Sequence, residues 1–132
     1  MTEFPFDSTY HPALPVCDVA LIAPPTGHRV ELTAIIDTGA DGTIIPIEFL
    51  QQIGARRAFE VGLRSQWGEP RTVFLYLVDL QIAELTLPAI YVVGDELGDE
   101  VVLGRNVLNE LRLLLDGPAA LTRLLNDTAS AG

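Results

Sequence analysis

An all-β single domain with one or two short helices is what this sequence predicts, on three observations. β-type runs recur at short spacing between clusters of Gly and Pro. Helical spacing of apolar residues is confined to the neighbourhoods of residues 46–54 and 104–111. A length of 132 residues with 48% hydrophobic content is enough for one core and too little for two lobes.

Residues 1–15 hold Pro5, Pro12 and Pro15 among scattered polar residues and read as an extended arm without a core of its own, one that must lie on something or stay loose. Val16–Ile22 is a β-type run. The turn residues Ala23-Pro24-Pro25-Thr26-Gly27 follow, and Arg29–Ile36 is the second arm of a hairpin. In that second arm Val30, Leu32, Ala34 and Ile36 alternate with Glu31, Thr33 and Ile35, so one face is apolar throughout and the end is apolar on both. Asp37 then falls where a strand ends inside the protein. Pro46 to Gly54 reads as a short helix, with Phe49, Leu50 and Ile53 on one side and Gly54 as its stop. Ala58–Arg64 and Thr72–Leu80 form a longer hairpin around Ser65–Pro70. Strands at Gln81–Leu87 and Ala89–Val93 are separated by Pro88. After an acidic loop, Gly94–Glu100, comes the apolar run Val101-Val102-Leu103, and Gly104-Arg105-Asn106 opens a helix with Val107, Leu108 and Leu111 on one side. Residues 112–125 are Leu-rich around the turn Asp116-Gly117-Pro118 and fit either strand or helix. The domain is therefore expected at 16–125, between the arm and a polar tail, 126–132.

Charge and composition remove several classes of function. Eighteen acidic residues against eight basic ones give a net charge of −10, which argues against nucleic acid as a partner. All eight basic residues are Arg, so no Schiff-base lysine or P-loop lysine is available. Cys17 is alone, which excludes an internal disulfide and a Cys-rich zinc site, and its strand position makes it a small buried apolar residue. His11 and His28 lie in turn-rich sequence and read as solvated. No run reaches the roughly 18 apolar residues of a membrane span, and the opening residues do not resemble a signal peptide, so the expected setting is the cytoplasm with no membrane partner.

The chemistry concentrates in Ile35-Ile36-Asp37-Thr38-Gly39-Ala40-Asp41. An Asp-Thr-Gly triplet is expected by chance about 0.06 times in a chain of this composition, and the two apolar residues ahead of it lower that to about 0.01. With that apolar lead-in, a long hairpin downstream and Val102-Leu103-Gly104-Arg105-Asn106 before a short helix, the sequence resembles the retropepsin family, the retroviral-type aspartic proteases, over residues 16–116.

The resemblance implies a homodimer in which each subunit supplies one catalytic aspartate, here Asp37, to the hydrolysis of a peptide or protein substrate without any cofactor or metal. The only other approximate triplet, Asp127-Thr128-Ala129, lacks the Gly, so a single-chain enzyme with two lobes is not expected, and the proline-rich arm and the apolar segment after Gly117 are expected to be surfaces covered by the partner. Two facing carboxylates cannot both ionise; the pair holds one proton and offers an acid and a base together. One activates water while the other polarises the scissile carbonyl. Gly39 keeps the space beside the pair free of a Cβ. The resemblance further implies that Thr38 bonds across the two subunits, that Asp41 and Arg105 form an ion pair at the edge of the site, and that Ala40 and Asp41 meet substrate. It departs from the viral pattern at the hairpin tip, Gln66-Trp67-Gly68-Glu69, which has one Gly and places Trp67 and Gly68 where they would cover substrate.

Two other classes use the same residues. A dimer of this kind could bind peptides or scaffold partners without cleaving them, a reading the intact Asp37-Thr38-Gly39 argues against. Asp37, Asp41, Gly42 and Glu48 also fall at positions 1, 5, 6 and 12 of a calcium-binding loop. Against calcium, position 3 is Gly39, position 10 is Pro46, and the residues leading in read as strand where a helix is required.

Overall fold

The computed structural model describes residues 1–64 and 70–125. Ten strands and two short helices run in the order β1 (Thr2–Pro5), β2 (Val16–Ile22), β3 (Arg29–Ile36), β4 (Thr43–Pro46), α1 (Ile47–Ile53), β5 (Arg56–Arg64), β6 (Pro70–Ile82), β7 (Leu85–Asp95), β8 (Val102–Leu103), α2 (Arg105–Leu108), β9 (Leu113–Asp116) and β10 (Leu121–Leu124). The fold is all-β, as expected.

Seven strands form one sheet in the order β2-β3-β8-β4-β7-β6-β5, and β2 also pairs with β6. Six of the seven therefore close on themselves, which removes their edges and encloses the core. Leu21, Ile45, Leu50, Ile53, Leu80 and Leu103 are fully buried there, each contributing about 1.5–3 kcal/mol by leaving water. The β2–β3 hairpin has the boundaries its alternating pattern predicts, with Val16 opposite Ile35 and Ile22 opposite Arg29. Helix α1 buries Leu50 and Ile53 and ends at Gly54, whose φ of 69° is left-handed and lets its N–H reach back to the carbonyls of Gln51 and Leu50.

Four expectations are corrected. Residues 43–45, expected in no element, and Pro46, expected as the start of the helix, form β4, which pairs in parallel with β7. Pro88 does not break a strand: β7 runs through it, because the β6–β7 register shifts between Val78 and Leu80 and the strand bulges there. Ala89 takes a φ of 56° in that bulge, and its N–H bonds Asp79 Oδ1 at 2.9 Å. The second helix is one turn long and ends before Leu111. Finally, the arm and the apolar segment after Gly117, both expected to be covered by a partner, cover each other within the chain.

That last pairing makes a second sheet, β1-β10-β9. Residues 113–116 and 121–124 are strands, which settles the ambiguity of the Leu-rich segment. β1 lies antiparallel on β10 with Phe4 opposite Thr122, and Phe4 is buried in the main core. Arg123 of β10 laces the three strands, bonding Glu3 Oε2 of β1 at 2.7 Å and Asp116 Oδ2 of β9 at 3.2 Å. Among the described residues no helix is long and apolar enough to cross a membrane.

Candidate active site

Strand order builds the site. β8 is inserted between β3, with which it runs parallel, and β4. The connection from β3 to β4, residues 37–42, must therefore pass over the C-terminal end of β8. Asp37 opens it, its N–H bonding Leu103 O at 3.2 Å. The loop then turns on itself: Ala40 N–H bonds Asp37 O at 3.2 Å, and Gly39 N–H bonds the Asp37 carboxylate, Oδ1, at 2.9 Å. That second bond aims the side chain. A Cβ on residue 39 would stand 3.2 Å from the same Oδ1, so Gly at this position keeps the carboxylate where it is.

Beneath the loop, Gly104 meets Gly42. A Cβ on residue 104 would lie 2.9 Å from Gly42 Cα and nearer still to its carbonyl, and a backbone cannot move aside as a side-chain end can. Beside this contact Thr43 is fully buried. Its hydroxyl accepts from Gly104 N–H at 3.1 Å and donates to Asn106 Oδ1 at 2.8 Å, while Asn106 Nδ2 donates to Tyr91 O at 3.0 Å. The start of β4, where the loop ends, is thus joined to Gly104, α2 and β7 by one chain of uncharged hydrogen bonds.

A second link between the same segments lies at the surface. Arg105 N–H bonds Ala40 O at 2.9 Å, Arg105 Nη1 bonds Thr38 O at 2.8 Å, and Nη2 pairs with Asp41 Oδ1. The Asp41 side chain is 92% exposed and that of Arg105 44%. Arg105 therefore fixes the carbonyls of residues 38 and 40, the first through its guanidinium and the second through its backbone N–H, and leaves much of the Asp41 carboxylate open to solvent.

The structure brings Asp37, Thr38, Gly39, Ala40, Asp41 and Arg105 into one loop cluster. Asp37 is exposed, where the sequence suggests an interior strand end; the ladder stops at Ile36, and the next residue emerges at the edge of the closed sheet. Trp67 and Gly68, expected over substrate, lie outside the described residues, as does Asp127-Thr128-Ala129. The support that Gly104, Thr43 and Asn106 give the loop is not predicted from sequence. The signal for Gly104 was its place directly before Arg105; Thr43 and Asn106 are ordinary polar residues 63 positions apart that only the fold joins.

The calcium alternative fails on topology. A strand, β3, leads into the loop where a helix is needed, and β4 occupies residues 43–46 of the would-be ligand loop. Among the described residues no three of His, Cys, Asp and Glu are grouped to hold a metal ion. In the acidic loop, Asp95 is already engaged by Leu97 N–H at 2.9 Å and Arg71 at 3.5 Å. Burial pushes its carboxyl up, but hydrogen bonds from the Leu97 and Gly98 amides and from Arg71 outweigh it and hold the group below the ordinary value. Cys17 is buried, and desolvation pushes its thiol up to about 12, so it is inert as a nucleophile.

Comparison with known proteins gives one family and one fold. The model of the family described as "gag-polyprotein putative aspartyl protease" matches residues 26–110. No curated protein matches the chain by sequence. Among solved structures, EIAV protease in complex with the inhibitor HBY-793 superposes with a TM-score of 0.56 at 17% identity, over 74% of this chain and 86% of that one. A retropepsin-like aspartic protease from Rickettsia conorii gives 0.56 at 14% identity, over 92% and 88%. The retroviral protease-like domain of Ddi1 from Leishmania major gives 0.53 at 16%, over 86% and 90%.

Proposed function

This chain belongs to the retropepsin-like aspartic protease family, and we propose from that premise that it is a homodimeric endopeptidase in which two Asp37 carboxylates, one from each subunit, activate water to hydrolyse a peptide bond. The observation that carries the reading is the Asp37 carboxylate itself. It is held by Gly39 N–H, exposed at the end of β3, and set on a loop locked from below by Thr43, Gly104 and Asn106. A rigid, accessible carboxylate is half of the acid–base pair that this chemistry needs.

In the dimer the pair shares one proton. The ionised member takes a proton from water as the oxygen attacks the scissile carbonyl; the protonated member donates to the carbonyl oxygen and then the proton passes to the departing amine. No covalent intermediate forms. Asp41 and Ala40 flank the pair and offer polar backbone and side-chain groups to the substrate main chain, with Arg105 holding them in place. Thr38, next in sequence to Asp37, bonds across to its mate.

The test is incubation with a mixed peptide library at several pH values, comparing wild type with Asp37→Asn. Cleavage is expected from the wild type alone, with a bell-shaped dependence on pH whose two apparent constants belong to the pair. Asp37→Asn should fold and associate normally. Turnover by that variant near the wild-type rate would place the chemistry elsewhere, and folded, dimeric wild type that binds peptides without cutting them would favour the scaffold reading.

A further inference from the structure

Strand β5 stands outside the closed part of the main sheet and ends it, with β6 as its only strand neighbour among the described residues. It is also where the charge of the chain reverses. Arg56–Arg64 holds three arginines and one glutamate, a local charge of +2 in a chain of net charge −10. Residues 56–60 are all exposed.

A bulge decides what this strand displays. Arg57 stands opposite Tyr76 but Phe59 opposite Leu75, so Ala58 is an extra residue. With unbroken alternation Phe59 would share the face of Arg57 and of Tyr76, which is buried in the core. The shift turns it to the outer face instead. There the register makes two rows, Phe59-Leu75-Val93 and Arg56-Leu77-Tyr91. Phe59 and Tyr91 meet diagonally with ring centroids 5.2 Å apart, yet stay 48% and 44% exposed. Leu75, Leu77 and Val93 beneath them are half-buried and lie outside the core cluster. Arg57 is on the opposite face, its guanidinium 4.1 Å from the centre of the Phe74 ring.

Charges and bulges ordinarily guard an exposed edge against other strands. This bulge does the reverse, since it takes an aromatic ring off the core side and sets it in solvent beside the open edge of the sheet. A strand laid along β5 meets two unlike faces: aromatic rings with Arg56 at their margin on one, the Arg57 guanidinium on the other. Its own side chains alternate between the same two faces. The matching sequence therefore alternates apolar and acidic residues. A second copy of β5 does not match, because it brings the same arginines.

We propose that the root of β5, residues 56–60, is a docking edge for an extended segment of a partner protein in which apolar and acidic residues alternate. The segment joins the sheet as an eighth strand, with apolar side chains on Phe59 and Tyr91 and carboxylates at Arg57. This is not the place of a peptide lying at Asp37. β6 and β2 separate β5 from β3, so the edge is about 14 Å from the strand that ends at Asp37 at the usual strand spacing. The proposal adds a partner surface to the function proposed above and does not depend on it.

The test uses a synthetic peptide of alternating Leu and Glu, as long as β5, with a Ser–Glu peptide of equal charge as control. Both are titrated against Asp37→Asn protein, so that hydrolysis at Asp37 cannot remove the probe. An acidic peptide is repelled by the chain as a whole, so binding reports a local site. The Leu–Glu peptide should bind about tenfold or more tighter than the control, weaken by a similar factor in Phe59→Ser and in Arg57→Gln, and slow amide exchange at residues 56–60. Both substitutions are at exposed positions and should keep the melting profile. A Leu–Glu peptide that does not bind, that binds Phe59→Ser and Arg57→Gln as well as it binds the parent, or that protects other amides overturns the docking edge. Self-association of the protein alone that protects residues 56–60 puts a second copy on this face and also overturns it.

Discussion

The loop that carries Asp37 is fastened to the 104–106 segment twice, and the two fastenings are opposites. One is buried and uncharged, running from Gly42 against Gly104 through Thr43 to Asn106. The other is exposed and charged, from Asp41 to Arg105. The sequence advertises the second far more loudly. Physical chemistry assigns the stability to the first. A hydroxyl and an amide sealed from water lose their solvent partners on folding and cost free energy when a protein partner is removed, whereas an exposed ion pair exchanges one set of screened contacts for another. Stability and chemistry are thus divided between two faces of the same few residues, and the exposed face is left free to meet a ligand.

The sharpest break of this comparison is Gly104→Ala against Gly42→Ala. The first forces a Cβ into the Gly42 backbone and should destabilise by about 3 kcal/mol or more; the second finds no atom within 4 Å and should be nearly neutral. Denaturant midpoints of the two variants read the difference directly, and equal midpoints would show that the loop can move off β8. Next comes Thr43→Val, which keeps volume but strands Gly104 N–H and Asn106. It should cost about 2–3 kcal/mol, with part recovered in Thr43→Ser. The smallest effect is expected at the surface. Asp41→Asn should change stability by less than about 1 kcal/mol and less still at high salt, while raising KM for peptide. Arg105→Gln should cost more than Asp41→Asn, since it also releases Thr38 O. If Asp41→Asn destabilised as much as Thr43→Val, the division of labour would be wrong.

What the sequence disclosed follows the range of the forces involved. The β2–β3 hairpin was legible to the residue because its pattern and its turn, Pro24 to Gly27, are adjacent. Helix α1 was legible because Pro46 and Gly54 punctuate it. Asp37 was legible from the Asp-Thr-Gly triplet behind an apolar run, and the Asp41–Arg105 pair from the resemblance to the retropepsin family. β4 was not, because four residues ending in Pro have no local reason to be a strand; their reason is β7, which lies far along the chain and pairs Ile44 with Val93. Pro88 misled because its ring is tolerated at a bulge that depends on Asp79. The mutual cover of the two chain ends was invisible for a similar reason: Phe4 and Leu121–Leu124 are apolar in ways that fit a partner chain as well as each other. Thr43 and Asn106 were missed because a buried hydrogen bond between two common residues leaves no trace in composition.

The loop's dependence on Arg105 has a consequence in time. Thr38 and the arginine that fixes its carbonyl are 67 residues apart, and a ribosome adding about 5–20 residues per second needs roughly 3 to 13 s to travel between them. During that interval Asp37 has been translated while β8, Gly104, Arg105 and Asn106 have not. A nascent chain therefore holds the carboxylate on an unfastened loop. The loop takes its fastened form only after residues 102–106 have been made and have folded against it.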